Sequence, residues 1–212
     1  MRILIVAATA AELAPCLPRL QSMQGVEVLV TGVGMVATAA RCARALAKQP
    51  YDLVLNLGVC GSFTPSLLAG TAVHVISDSM PELGAEDGDA FLTLEQLQLV
   101  GPDDFPFRGG RLVNESPPAN AAVRALPAVR GITVNTVHGN DQSIATVVQR
   151  HQPEVESMEG AGFMYACLIE GVPFAQVRAV SNVVERRNRD AWKLKEAIDS
   201  LGAAALKILD SL

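Results

Sequence analysis

Short apolar runs alternate along the chain with segments whose apolar residues recur at helical spacing. Runs rich in Val, Leu, Ile and Ala are typical of strands that are buried on both faces of a sheet. They predict strands over residues 3–7, 26–31, 52–57, 71–77, 131–136 and 174–180. Helical spacing predicts one helix over residues 36–48 and a long amphipathic helix from about residue 194. The alternation predicts one three-layer α/β/α domain over residues 1–212, with a mostly parallel central sheet.

The pattern dissolves between residues 79 and 120, where Pro, Gly and Asp are frequent. This segment contains two aromatic residues, Phe105 and Phe107, in a stretch that resembles an exposed loop. A loop of this length in a compact domain is usually functional or lies at an interface. We therefore expect the segment to serve binding or association more than the core.

Composition narrows the functional class. Of the 212 residues, 50% are hydrophobic and 18% are charged, and the formal net charge is −5. No Lys/Arg cluster stands out, which argues against nucleic-acid binding and against binding to anionic membranes. The first apolar run is too short for a signal segment, and no run reaches the roughly 18 residues of a membrane span. The four cysteines form no C-x-x-C pair, so we expect reduced thiols, a cytoplasmic location, no metal site and no cofactor.

Three polar stretches are the candidates for chemistry. Glu12 follows the first predicted strand, Glu159 lies between two apolar stretches, and Ser181 and Asn182 follow the last predicted strand. In parallel sheets ligands bind at the carboxyl ends of the strands, so these groups are expected to converge there. Two carboxylates and an amide suit cleavage of an N-glycosidic bond, in which one carboxylate stabilises a cation-like ribose and the other activates water.

Each of these residues also has a purely structural interpretation. Glu12 could oppose the dipole of a helix, and Asn182 could satisfy the backbone of a turn. Glu159 could cap its helix, although a buried carboxylate is costly without a task. The sequence Gly32-Val33-Gly34-Met35-Val36-Ala37 leaves open a dinucleotide-binding regulatory module, but it follows the second strand and not the first. The chain has three single histidines, which are interpreted as structural or exposed: His74, His138 and His151. Cys60 is interpreted as a packing residue.

Together these stretches resemble the nucleoside phosphorylase and nucleosidase superfamily, and within it the futalosine hydrolases. The likeness is carried by Glu12, by residues 56–61 and 156–161, and by the run from Val177 to Trp192. It implies a nucleoside phosphorylase-like fold in which Glu12 activates water and Glu159 holds the ribose hydroxyls. The implied substrate-binding residues are Met158 against the sugar, Asn182 at the base, and Gly58 and Ser181. Phe163 is a candidate stacking residue, with core packing as the alternative.

The residue at position 182 bears on the substrate that the resemblance implies. Adenine-releasing nucleosidases of the superfamily have Asp there, whereas this chain has Asn182. An amide can donate to a 6-oxo group, which an ionised carboxylate cannot. The resemblance therefore implies hydrolysis of a 6-oxopurine nucleoside, futalosine, to hypoxanthine and dehypoxanthine futalosine in menaquinone biosynthesis. The alternatives are a purine nucleoside phosphorylase and a methylthioadenosine/adenosylhomocysteine nucleosidase.

The resemblance also implies partners. The ligand is a small nucleoside, and the relatives form homodimers or higher homo-oligomers in which a neighbour's loop closes the site. Phe105 and Phe107 are the candidates for that loop. Arg186, Arg187 and Arg189 are candidates for the carboxylate on the 5′ extension of the substrate, although a solvated charge run is an alternative.

Overall fold

A computed structural model describes all 212 residues. The helices are α1 (Ala10–Leu13), α2 (Leu17–Ser22), α3 (Met35–Leu46), α4 (Ala121–Arg124), α5 (Asp141–His151), α6 (Gly160–Glu170) and α7 (Leu194–Asp210). The strands are β1 (Ile3–Ala7), β2 (Val26–Val30), β3 (Leu53–Ser62), β4 (Ala72–Asp78), β5 (Gly84–Asp87), β6 (Ala90–Thr93), β7 (Phe107–Arg108), β8 (Arg111–Val113), β9 (Ala128–Thr133), β10 (Val155–Ser157) and β11 (Phe174–Val183). No helix combines the length and apolar character that crossing a bilayer requires.

The central sheet has nine strands and is partly closed. β2, β1, β3 and β11 are neighbours and run parallel, as do β4, β9 and β10. Antiparallel pairs join β11 to β4 and β10 to β3. The pairings β3–β11–β4–β9–β10–β3 therefore form a ring, so that part of the sheet curls into a small barrel. This confirms the predicted α/β fold with a mostly parallel sheet, and it adds a closure that the pattern did not predict.

Helices cover both faces of the open part of the sheet. Side chains alternate along β1, so Ile3 and Ile5 pack under α1, α2 and α7, while Leu4 and Val6 pack under α3 and α6. All five residues of β1 are buried, which explains its uninterrupted apolar run. Leu201 of α7 is fully buried in the first of these clusters, as the helical spacing predicted.

Several predicted boundaries were wrong. β3 does not end at residue 57 but continues to Ser62, because it pairs with β11 and β10. The strand predicted over 131–136 is β9, which covers Ala128–Thr133. β11 continues to Val183 and carries a bulge between Val180 and Asn182. The segment 79–120 is not one loop, because it contains the β5–β6 hairpin and the short strands β7 and β8. They form two local hairpins, of which only β8 joins the central sheet, by pairing with β4. Strands of two to four residues are too short to give a periodic apolar signal.

Candidate active site

A cavity of about 320 Å³ opens where β1, β3 and β11 end and where β10 leads into α6. Its volume lies within the range of small-molecule sites, about 300–1,000 Å³. Of the residues expected to bind substrate, five line it: Glu12, Met158, Glu159, Ser181 and Asn182. The fold therefore brings together the three polar stretches that were singled out from the sequence.

The carboxylate of Glu12 is held in place at the cavity wall, and 8% of the residue is exposed. Its Oε2 accepts hydrogen bonds from the backbone N–H and the hydroxyl of Thr9, at 2.9 and 3.0 Å. Its Oε1 accepts from the backbone N–H of Val59 at 3.2 Å. The Thr9 N–H contact is half of a capping box at α1, so Glu12 does stabilise a helix start, as its structural interpretation proposed. The same contacts aim the carboxylate at the cavity.

Glu159 stands at the start of α6 but does not cap that helix with its side chain. Its Oε1 accepts a hydrogen bond from the backbone N–H of Gly34 at 3.1 Å, and its Oε2 accepts from Nη1 of Arg178 at 3.4 Å. The carboxylate is buried, and Arg178 compensates the cost of its burial. A carboxylate offers about four lone-pair sites, so acceptor capacity remains for a ligand.

Arg178 is a buried residue behind the cavity wall for which the sequence suggests no role. It lies in β11 with 1% of its surface exposed, and besides Glu159 its guanidinium donates to Asn56 Oδ1 at 2.6 Å and to Gln176 Oε1 at 3.1 Å. A charged residue is almost never this buried unless it is paired. An arginine inside the apolar run 174–180 was therefore a signal for a buried ion pair.

The polar network continues beyond Arg178 to a buried carboxyl group. Gln176 Nε2 donates to Asp78 Oδ2 at 3.1 Å, and the Thr133 hydroxyl donates to Asp78 Oδ1 at 2.9 Å. Burial raises the pKa of Asp78 to about 6, against the lowering effect of these two hydrogen bonds. The network connects the carboxylate at the cavity to the interior of the barrel.

Asn182 reaches the cavity because of the bulge in β11. The bulge shifts the register so that Asn182 lies opposite Gly61 of β3. The Ser181 hydroxyl donates to Asn182 Oδ1 at 2.7 Å, and Asn182 Nδ2 donates to the Val183 carbonyl at 2.9 Å. One amide N–H and one oxygen lone pair remain for a ligand. Asn182 thus satisfies a backbone carbonyl, as its structural interpretation proposed, and also lines the cavity.

Glu156 and His138 form a second polar group on the cavity wall. Glu156 Oε2 lies 2.6 Å from His138 Nδ1, and Glu156 Oε1 accepts from the His138 backbone N–H at 3.1 Å. From the sequence, His138 is predicted to be structural or exposed, and Glu156 has no predicted role. The structure pairs the two residues through a tertiary contact and places both at the cavity.

Two residues of the expected substrate-binding set lie outside the cavity. Phe163 is fully buried in the core against Phe174, with the ring centroids 5.6 Å apart, so the structure contradicts its stacking role. Gly58 lies behind the wall, where a Cβ would overlap the Arg178 guanidinium and lie 3.0 Å from Glu12 Oε1. Its absent side chain makes room for those two groups, and it is not a substrate contact.

Phe105 and Phe107 lie away from the cavity of their own chain. Phe105 is 68% exposed, and Phe107 packs edge-on against Tyr165 at 6.2 Å between centroids. Their role in closing a neighbour's site stays a prediction.

Neither the Cys60 thiol nor the glycine turn before α3 is set up for chemistry of its own. Burial raises the pKa of Cys60 to about 12, so its thiol stays protonated and is a packing group. The Gly34 N–H, which a dinucleotide phosphate would need at the start of α3, is donated to Glu159 instead. No group of three or more His, Cys, Asp or Glu side chains is arranged to hold a metal ion.

Comparison with known proteins gives consistent matches. Residues 21–212 match the sequence model described as the phosphorylase superfamily. The futalosine hydrolase of Streptomyces coelicolor is 36% identical over 195 residues, which are 87% of this chain and 78% of that protein. The futalosine hydrolase of Thermus thermophilus is 31% identical over 188 residues, covering 87% of this chain and 81% of that protein.

Solved structures share the fold. Native futalosine hydrolase of Helicobacter pylori superposes with a TM-score of 0.80 at 15% identity, covering 100% of this chain and 98% of that one. The methylthioadenosine/adenosylhomocysteine nucleosidase of Colwellia psychrerythraea, in complex with adenine, gives a TM-score of 0.80 at 20% identity, covering 100% and 96%. At such identities the likeness concerns the fold alone.

Proposed function

The chain belongs to the phosphorylase superfamily, and from that premise we propose that it is an N-glycosyl hydrolase that cleaves futalosine to hypoxanthine and dehypoxanthine futalosine. One observation carries the choice of a hydrolase. The cavity is lined by three carboxylates, those of Glu12, Glu156 and Glu159, and by no Lys or Arg side chain. Relatives named futalosine hydrolase at 31–36% identity support the substrate.

Water fits this cavity as the nucleophile better than phosphate does. A phosphate dianion would be repelled by three carboxylates in a site of reduced dielectric. The guanidinium of Arg178 is buried behind Glu159, and its hydrogen bonds go to Glu159, Asn56 and Gln176. Water needs a base instead, and Glu12 is a carboxylate held in place for that role.

The reaction can be written for the groups in the cavity. Glu12 takes one proton from water, the resulting hydroxide bonds to C1′, and the electron pair of the C1′–N9 bond goes to the purine. The proton taken from water is returned through Glu12 and solvent to give the neutral base. Glu159 accepts hydrogen bonds from the ribose hydroxyls and stabilises the positive charge that develops on the ring, with Met158 packed against the sugar.

Asn182 supports a 6-oxopurine as the leaving group. Its free N–H suits a 6-oxo oxygen, and its free lone pair suits a protonated N7. Adenine offers an amino group at position 6, which would meet the amide N–H donor to donor. A site built on such hydrogen bonds can discriminate by about 10⁴-fold or more. This favours futalosine over methylthioadenosine.

The 5′ extension of futalosine would occupy the apolar end of the cavity. Trp192, Leu194 and Ile198 form that wall. The Arg187 guanidinium lies 5.7 Å from the centre of the Trp192 ring, so among the three candidate arginines it is the one best supported as a carboxylate partner. All three arginines are exposed, and only Arg187 contacts a residue that lines the cavity.

Assembly and cellular context follow from the same proposal. We propose a homodimer or higher homo-oligomer in the cytoplasm, acting in menaquinone biosynthesis, with the loop of Phe105 and Phe107 closing a neighbour's site. Phe105 is 68% exposed, so its side chain is free to contact a neighbouring copy.

One assay tests the function. Purified protein is incubated with futalosine, inosine and methylthioadenosine in phosphate-free buffer, and the released bases are separated and quantified. We expect hypoxanthine from futalosine at the highest rate. Adenine release without hypoxanthine would overturn the base assignment. A strict requirement for added phosphate, with formation of a sugar 1-phosphate, would make the protein a phosphorylase.

A further inference from the structure

The mechanism above leaves the Glu156–His138 pair without a task. Both residues line the cavity, and their side chains are only 4% and 13% exposed. The Glu156 carboxylate accepts from both Nδ1 and the backbone N–H of His138, at 2.6 and 3.1 Å. Two hydrogen bonds between one pair of residues fix the position of the imidazole ring.

The pairing with Glu156 determines which imidazole nitrogen carries the proton and which one is left as an acceptor. An ionised carboxylate only accepts hydrogen bonds, so Nδ1 of the neutral ring carries the proton and Nε2 is a lone-pair acceptor. No group of the chain donates to this Nε2, and it remains accessible to solvent. The buried ring nitrogens without partners belong to two other histidines, His74 and His151. His138 therefore offers a free acceptor at the cavity.

Glu156, which holds the imidazole, lies close to the amide that is proposed to read the base. Gly61 of β3 pairs with Asn182 on one side and with Glu156 on the other. A Cβ placed on Gly61 would lie 3.4 Å from Asn182 Nδ2 and 3.5 Å from Glu156 Cγ. The two polar groups thus flank one glycine. The edge of the Phe63 ring packs against His138 with 6.2 Å between centroids, which limits rotation of the imidazole.

We propose that His138 Nε2 accepts the N1–H of a 6-oxopurine and that Glu156 is the positioning residue that sets the imidazole tautomer. The inference rests on the proposed function and adds a determinant of base specificity to it. Along the edge of a 6-oxopurine, N7 and O6 face Asn182, and N1–H is the next group. Adenine has no proton on N1, so two lone pairs would face each other. An unmet buried acceptor is costly, which gives discrimination.

Replacing the imidazole tests the acceptor directly. His138→Phe keeps an aromatic ring against Phe63 but removes Nε2. The ratio of kcat/KM for inosine to that for adenosine is expected to fall about tenfold to hundredfold, through loss of activity on inosine. His151→Phe is the matched control, because that histidine lies outside the cavity, and its ratio should stay at the wild-type value. An unchanged ratio in His138→Phe overturns the proposal.

Replacing the carboxylate tests the tautomer. In Glu156→Gln, the amide oxygen can still accept the hydrogen bond from the backbone N–H of His138, while the amide NH₂ donates to Nδ1. Nδ1 is then an acceptor, so Nε2 carries the proton and becomes a donor. A donor suits N1 of adenine, so relative activity on adenosine should rise while activity on inosine falls. A purely structural role for Glu156 would lower both activities in parallel, and that result would overturn the positioning role.

Equilibrium binding separates this inference from the proposed function. Calorimetry of wild-type protein with hypoxanthine, 1-methylhypoxanthine and adenine needs neither turnover nor a variant. Hypoxanthine is expected to bind at least about tenfold more tightly than the other two bases. Equal affinities overturn the inference even if futalosine is hydrolysed, whereas a protein with this preference that fails to hydrolyse futalosine refutes only the proposed function.

Discussion

Single residues at this cavity serve the fold and the chemistry at once. Glu12 stabilises the start of α1 through Thr9 and also presents its carboxylate to the cavity. Asn182 is held by Ser181 and by the Val183 carbonyl and still keeps one donor and one acceptor free. Substitutions that preserve the local hydrogen bonds can therefore separate the two roles.

Glu12→Gln tests the base. The glutamine oxygen can keep both bonds from Thr9, while its NH₂ then faces the Val59 N–H, so the fold should be kept with a small loss of stability, but the amide cannot take a proton from water. We expect kcat for futalosine to fall about 10²–10⁴-fold, with KM nearly unchanged and the melting temperature only slightly lowered. Glu170→Gln, an exposed glutamate at the end of α6, is the control. Near-normal turnover by Glu12→Gln would refute its role in water activation.

Asn182→Asp tests the reading of the base. The carboxylate loses the donor for O6 but can still engage N7. Hydrolysis of futalosine should drop about 10²-fold or more in kcat/KM, while hydrolysis of methylthioadenosine rises. Competition between the two nucleosides in one assay measures the change, with the exposed Asn135→Asp as the control. Equal losses on both substrates would contradict the assignment.

At the scale of elements, the site depends on the contact between β3 and β11. Gly58 of β3 pairs with Arg178 of β11, and the missing side chain leaves space for the guanidinium that holds Glu159. The bulge after Val180 then turns Asn182 to the cavity. Two adjacent strands thus set the positions of Glu159 and Asn182, the residues proposed to hold the ribose and the base.

Gly58→Ala tests this contact. The new methyl group would overlap the Arg178 guanidinium, which is fixed by three partners and cannot move freely. We expect a loss of about 1–3 kcal/mol in the free energy of unfolding and a marked fall in kcat/KM. Urea denaturation and steady-state kinetics measure the two effects. Gly101→Ala is the control and should change neither stability nor kcat/KM, since its new methyl would meet only the exposed Asp104 side chain. Wild-type behaviour of Gly58→Ala would show that the packing of Gly58 against Arg178 is not needed.

At the scale of the whole molecule, buried titratable groups couple stability to pH. Burial lowers the pKa of His74 in β4 from 6.5 to about 4, so the folded protein keeps this ring neutral. A lowered folded-state pKa means that the unfolded chain binds the proton first as the pH falls. The stability that neutral His74 allows is present above pH 6.5 and is lost as the pH falls towards 4. Asp78, whose pKa is raised to about 6, acts in the opposite direction.

His74→Leu removes this titration without a large change in volume. Between pH 7 and pH 4 the wild type should lose up to about 3 kcal/mol of unfolding free energy more than the variant does. Urea denaturation at pH 7, 5.5 and 4 measures the difference, and the contribution of Asp78 cancels because both proteins contain it. Parallel pH curves for the two proteins would show that His74 does not titrate in this range.

Local pattern was sufficient for much of the architecture and for part of the site. The buried strands and α7 follow from apolar runs and helical spacing, because those signals lie within one segment. Glu12, Glu159 and Asn182 could be found because each is a polar residue next to an apolar element, and the superfamily resemblance that they carry is confirmed by the comparisons. Their chemical roles stay predictions.

Tertiary structure alone decided which groups meet. The closure of the barrel and the partners of Arg178 and His138 depend on contacts between residues far apart in the chain, which no local periodicity records. The same contacts place Phe163 in the core and Gly58 behind the cavity wall, although both were predicted to bind substrate. The sequence by itself determined which segments are buried and which polar residues interrupt them, because burial is a property of each segment. Pairing across the sheet determined which of those polar residues form the site, because a hydrogen bond requires two groups to meet.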